Sequence, residues 1–285
     1  MSGRQFWSLV RETFLSWQGD KVSKMAAALA YYSIFSLAPL LIIVVAVAGA
    51  IYGRAAAAGE IVGHIQNLVG SDVAGVIQGL IENASRPKSG AIASIIGIAT
   101  ALIGATGLFS ELKDDLNIIW KADSKRTAVG SVLHSRFLSF LMVLGIGLLL
   151  LLSIVANTFL SAVAAFLKGL VPGLRLLLFL TNVLLPFMLI SILFGFSYKF
   201  LPDTRVAWND VWPGAAIASL LFTVGKLVLG FYLGSSKIVS AYGAASSLVV
   251  LLFWAYFSAQ VFLFGAEFTC VYASRSGGDK PSNTE

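Results

Sequence analysis

The run Tyr242-Gly-Ala-Ala-Ser-Ser-Leu-Val-Val-Leu-Leu-Phe-Trp-Ala-Tyr-Phe-Ser-Ala-Gln-Val-Phe-Leu-Phe-Gly-Ala-Glu267 limits what this chain can fold into more than any other stretch. It is too long and too apolar for the helix of a soluble protein, and it reads as a transmembrane span. It is not uniformly apolar. At 100° per residue, Tyr242, Ser246, Tyr256, Gln260 and Glu267 fall within an arc of about 80°. A carboxylate or an amide facing hydrocarbon costs several kcal/mol, so this stripe is expected to face other helices or a wet cavity between them.

Five further apolar runs repeat the pattern, and the chain is 58% hydrophobic with only 12% charged residues. Soluble domains carry roughly twice that share of charge. No run alternates with period two, as the strand of a membrane barrel would. The expected class is therefore all-α: a polytopic bundle of six transmembrane helices over 25–51, 90–110, 137–167, 176–200, 213–233 and 242–268. Residues 1–24 read as an amphipathic segment on the cytoplasmic surface, with Arg4 and Arg11 among Phe6, Trp7, Phe14 and Trp17. Residues 53–89 read as an amphipathic helical outer loop, and 274–285 as a polar, disordered cytoplasmic tail.

Within the spans, Pro39 and Pro186 predict bends. Pro213-Gly214 predicts the start of the fifth span, where a first-turn proline is tolerated. Small residues from Ala93 to Gly107 predict close helix approach in the second span. That face suits packing within one chain or a homo-oligomer interface equally. Asp20 and Lys24 are spaced i,i+4 where the first span begins, with Tyr31 continuing their face.

Placing both termini in the cytoplasm leaves 13 basic residues inside and 6 outside, the bias expected for that orientation. The net charge of +6 follows from this asymmetry and needs no nucleic-acid partner. The same topology gathers Asp20, Lys24, Glu111, Asp203, Arg205, Asp210 and Glu267 at the cytoplasmic edge. Lys24, Lys199 and Arg205 are the expected partners of Glu267.

Three stretches together resemble a known family: Ala26-Ala-Ala-Leu-Ala-Tyr-Tyr-Ser-Ile-Phe-Ser-Leu-Ala-Pro39, the connector from Leu201-Pro-Asp203 to Trp212-Pro-Gly-Ala215, and Tyr242-Gly with Gly265-Ala-Glu267. In order and spacing, over residues 6–272, they are similar to the YihY/BrkB family of bacterial inner-membrane proteins, some of which have carried the label ribonuclease BN. The resemblance implies six transmembrane helices in the inner membrane and supplies no catalytic residues.

Nuclease chemistry needs convergent metal ligands or a positioned acid–base pair. His64 and His134 are expected on opposite sides of the membrane, and no phosphate-cradling glycine loop is present. The lone Cys270 cannot form an intramolecular disulfide. No enzyme activity, cofactor or metal is expected. The expectation is a transporter or flippase-like protein for a lipid-linked or amphiphilic solute, in contact with membrane lipids. The alternative is a scaffold or assembly protein of the cell envelope. The candidate pathway or polar network comprises Tyr242, Ser246, Tyr256, Gln260, Glu267, Asp20, Lys24, Tyr31, Glu111, Asp203, Arg205 and Asp210.

Overall fold

A computed structural model describes residues 3–36, 107–122, 174–235 and 246–276, with isolated helical positions between 59 and 82. Among the described residues all regular structure is helical: α1 (Gly3–Gly19), α2 (22–36), α3 (107–119), α4 (Leu174–Phe200), α5 (Trp208–Ser235) and α6 (Ser246–Arg275). The expected third span, most of the second, most of the outer loop, the Pro39 bend, Tyr242 and the tail beyond 276 lie outside the described residues.

Two stretches, Trp208–Leu229 and Leu248–Arg275, are long and apolar enough to cross a bilayer. Their hydroxyl residues bond back one turn: Ser219 to the Ala215 carbonyl, Thr223 to Ser219, Ser258 to Trp254 and Thr269 to Gly265, each at 2.8 Å. Such bonds let a serine or threonine sit inside an apolar helix without an orphaned donor.

Helices α5 and α6 pack closely because glycines remove side chains at the seam. A Cβ on Gly265 would lie 2.5 Å from both the Ala218 Cβ and the Tyr198 hydroxyl, and one on Gly214 would lie 2.7 Å from the Gly265 carbonyl oxygen. Tyr198 uses that gap to donate a 2.7 Å hydrogen bond from α4 to the Phe262 carbonyl of α6. One apolar core then joins α4, α5 and α6 to α2 and α3. Val22, Met25, Ala26, Leu29 and Ala30 supply α2's buried stripe at helical spacing.

Three boundaries differ from the sequence expectations. Helix α5 begins at Trp208, so Pro213 lies inside it rather than opening it. Pro213 is past the four unpaired N–H groups of the helix start, so the helix gives up one ladder bond there, the one to the Asn209 carbonyl. Helix α6 continues to Arg275, extending the last span seven residues past 268 and taking the first two residues of the expected tail. Asp20 and Lys24 do not share a helix face. Lys21 adopts a left-handed φ of 57°, which ends α1 and restarts the chain as α2. The i,i+4 pair is lost at that turn.

The candidate polar strip on the last helix

Helix α1 lays one face on α6. Leu9 is buried with Phe268 and Val271, and Tyr272 and Ile217 pack around them. At the α6 terminus Arg275 pairs with Glu12, its Nε donating to Glu12 Oε2 at 3.0 Å, while one guanidinium nitrogen donates to the Ser8 hydroxyl at 2.7 Å. Four turns deeper, the Trp17 indole Nε1 donates to Gln260 Oε1 at 3.2 Å. The Gln260 amide in turn donates to the Tyr256 hydroxyl at 2.7 Å. The polar stripe of α6 thus meets α1.

Glu267 lies on the same stripe and is only 1% exposed. Asp20, from the turn that ends α1, is in hydrogen-bonding reach of its carboxyl group, and Lys121 places a positive charge nearby. Glu267 Oε1 has no hydrogen-bond partner. Lys121 reaches this position because α3 ends in a Schellman turn. The Ala122 N–H bonds the Asn117 carbonyl at 2.9 Å and the Lys121 N–H bonds Ile118 at 3.0 Å, with Lys121 at a φ of 49°. One turn along α6, the Cys270 thiol approaches the Ile119 carbonyl at 3.5 Å, fixing α3 against this side of the helix.

The expected basic partners of Glu267 are engaged or placed elsewhere. Lys24 and Arg205 are exposed. Lys199 donates to the Val206 carbonyl and lies over the Trp208 ring, 5.8 Å from its centroid. Tyr31 is exposed and meets Tyr32 edge-on and Phe35 at a tilt rather than joining the strip. Ser246 opens α6, and its side chain is outside the described residues.

The remaining acidic candidates form separate groups. Asp203 accepts a hydrogen bond from Asn117 Nδ2 at 3.0 Å, donates its own N–H to Asn117 Oδ1 at 2.8 Å and pairs with Lys113 at 2.8 Å. This ties the α4–α5 connector to α3. Asp210 is buried in the first turn of α5, where the helix dipole favours a carboxylate. Glu111 lies half-buried on α3, its carboxyl raised by burial and by Asp114. Asp115, one turn on, is buried with Oδ2 unpartnered, and burial, Glu111 and Asp114 push its carboxyl up to about 7.

Partners that were not among the sequence candidates include Trp17, Lys113, Asn117 and Lys121. Nothing in the spacing of α1 singles out Trp17. Lys121 was visible only as one of several basic residues in a charged connector.

A family model described as "Virulence factor BrkB" matches residues 13–285. The chain is similar to the UPF0761 membrane protein MS0032 of Mannheimia succiniciproducens, 27% identical over 78% of this chain and 74% of that one. It is also similar to UPF0761 membrane proteins of Pseudoalteromonas atlantica, 29% identical over 76% and 69%, and of Alteromonas mediterranea, 30% identical over 75% and 70%. No solved structure matches the chain.

Proposed function

The chain belongs to the virulence factor BrkB family of membrane proteins, and from that premise we propose that it is a transporter or flippase-like protein moving a lipid-linked or amphiphilic solute across the bacterial inner membrane. In this reading six helices span the bilayer with both termini in the cytoplasm, as the basic-residue count favours. The carrying observation is the strip Tyr256–Gln260–Glu267 on an otherwise apolar helix, half-buried at Tyr256 and Gln260 and fully buried at Glu267, one of whose oxygens packing leaves unpartnered. Packing alone would be better served by apolar side chains, because a buried carboxyl costs stability unless something else uses it.

The polar head of a solute would pass along the strip, where α1 and α3 border α6. Both helices end beside Glu267, at the Lys21 and Lys121 turns. The reading involves no bond making or breaking. Its test is translocation of headgroup-labelled fluorescent lipids by purified protein in proteoliposomes. Flux above that of empty liposomes is expected, and its absence for lipids and soluble amphiphiles alike would refute transport.

One observation favours the scaffold reading. The α5–α6 seam is closed by direct glycine approach at Gly214 and Gly265, and at Gly225 against the Phe257 ring, which leaves little room for sliding between these helices. A scaffold would lose stability or partner binding when Glu267 is neutralised, whereas a transporter would lose flux and stay folded.

A further inference from the structure

The polar strip of α6 meets only one face of α1. Leu9 and Thr13 are fully buried against the bundle. On the opposite side Phe14, Trp7, Gln18, Arg11, Arg4 and Leu15 follow one another within an arc of about 100°. Trp7 is 72% exposed, Leu15 55% and Phe14 48%, and both arginines are exposed beside them. A face that mixes bare aromatics with arginine is poorly suited to bulk water and well suited to the headgroup–acyl boundary.

Charge on this face is one-sided because the fold removes its acids. Glu12, the single acidic residue of α1, is paired with Arg275, and Asp20 turns toward Glu267. Arg4 and Arg11 therefore set the sign of the outward face.

A second aromatic group marks the same level. Phe196 and Phe200 at the end of α4 stack at 5.6 Å, Trp208 meets both edge-on, and Trp212 stacks on Trp208 at 6.0 Å. All four rings are exposed. Exposed tryptophans at the end of an apolar helix are the usual mark of a membrane interface. Helix α1 packs against Ile217, five residues and about 7.5 Å further along α5 from Trp212. The two aromatic groups thus lie at the same end of α5.

We propose that the outward face of α1 binds anionic phospholipid headgroups, with Arg4 and Arg11 holding phosphate oxygens and Trp7, Phe14 and Leu15 seated at the headgroup–acyl boundary. The site serves a transporter and a scaffold equally, so it stands apart from the functional reading above. Each basic residue at an anionic surface contributes about a five-fold preference.

The test is a spin label at Leu15→Cys in a Cys270→Ser background, on the full-length protein reconstituted in phosphatidylcholine with or without phosphatidylglycerol. With phosphatidylglycerol the label should collide with dissolved oxygen far more than with a water-soluble nickel chelate. That contrast should fall several-fold in phosphatidylcholine alone, and equally in an Arg4→Gln/Arg11→Gln variant of unchanged thermal stability. A label open to the aqueous reagent in both lipids would overturn the proposal. So would a depth indifferent to phosphatidylglycerol, or dipolar broadening from a second copy of the chain seated on this face.

Discussion

Trp17 and Gln260 stand 243 residues apart in sequence and are joined by a 3.2 Å hydrogen bond from indole Nε1 to amide Oε1. With the Arg275–Glu12 pair, this bond fixes the N-terminal helix to both ends of the C-terminal half of α6. The two attachments should behave differently. Replacing Trp17 with phenylalanine leaves the half-buried Gln260 oxygen without its donor, at a cost of about 1 kcal/mol. Thermal unfolding in detergent, wild type against Trp17→Phe, measures it.

The Arg275–Glu12 pair is well formed but solvent-exposed, so its contribution to stability is small, about 0–1 kcal/mol. Arg275→Ala should barely move the melting temperature, while hydrogen exchange in residues 4–16 should rise. Restoration of protection in an Arg275→Glu/Glu12→Arg double variant would show that the pair, rather than the arginine's bulk, holds α1.

At the α5–α6 seam, Gly265→Ala places a methyl group against Ala218 and the Tyr198 hydroxyl. Overpacking of this kind costs about 1–3 kcal/mol. It should also disturb the Tyr198–Phe262 bond, so Tyr198→Phe in the Gly265→Ala background should cost less than it does alone. A double-mutant cycle by thermal unfolding checks this.

Asn117 closes both hydrogen bonds to Asp203, one of them to its backbone N–H. Asn117→Ala should therefore cost on the order of 2 kcal/mol, more than removal of the Lys113 ion pair. Comparing unfolding of Asn117→Ala and Lys113→Ala decides between the two contributions.

Asp115 gives stability a pH dependence of definite sign. Its carboxyl sits near 7 in the fold against 3.8 in the open chain, raised by burial, by Glu111 and by Asp114. Between those values the folded chain holds the proton and the unfolded chain does not, so stability falls as pH rises from about 4 through 7. The contribution is fully present below the lower value and lost above the upper. Asp115→Asn should flatten that slope in melting temperature against pH.

The class of the protein was legible in the sequence because it depends on long apolar runs, and Tyr256, Gln260 and Glu267 were recognisable as one stripe from helical spacing alone. Their partners were not. A helix period shows which side chains share a face, but what faces them depends on turns such as Lys21 and Lys121, two left-handed lysines where glycine is the usual choice. The break at Lys21 separated Asp20 from Lys24 and delivered Asp20 to Glu267. The α3 terminus brought Lys121 to the place expected for Lys24, Lys199 or Arg205. The charged residues were legible only as a collection. Its division into an Asp20–Glu267–Lys121 group and a Lys113–Asn117–Asp203 group required the tertiary packing.

The most direct measurement is lipid-analogue flux in proteoliposomes for wild type and Glu267→Gln at matched insertion and melting temperature. Transport along the α6 strip requires that the wild type carry flux above empty liposomes and that the variant lose most of it while remaining folded. Undiminished flux in a folded Glu267→Gln variant would contradict a pathway through this strip.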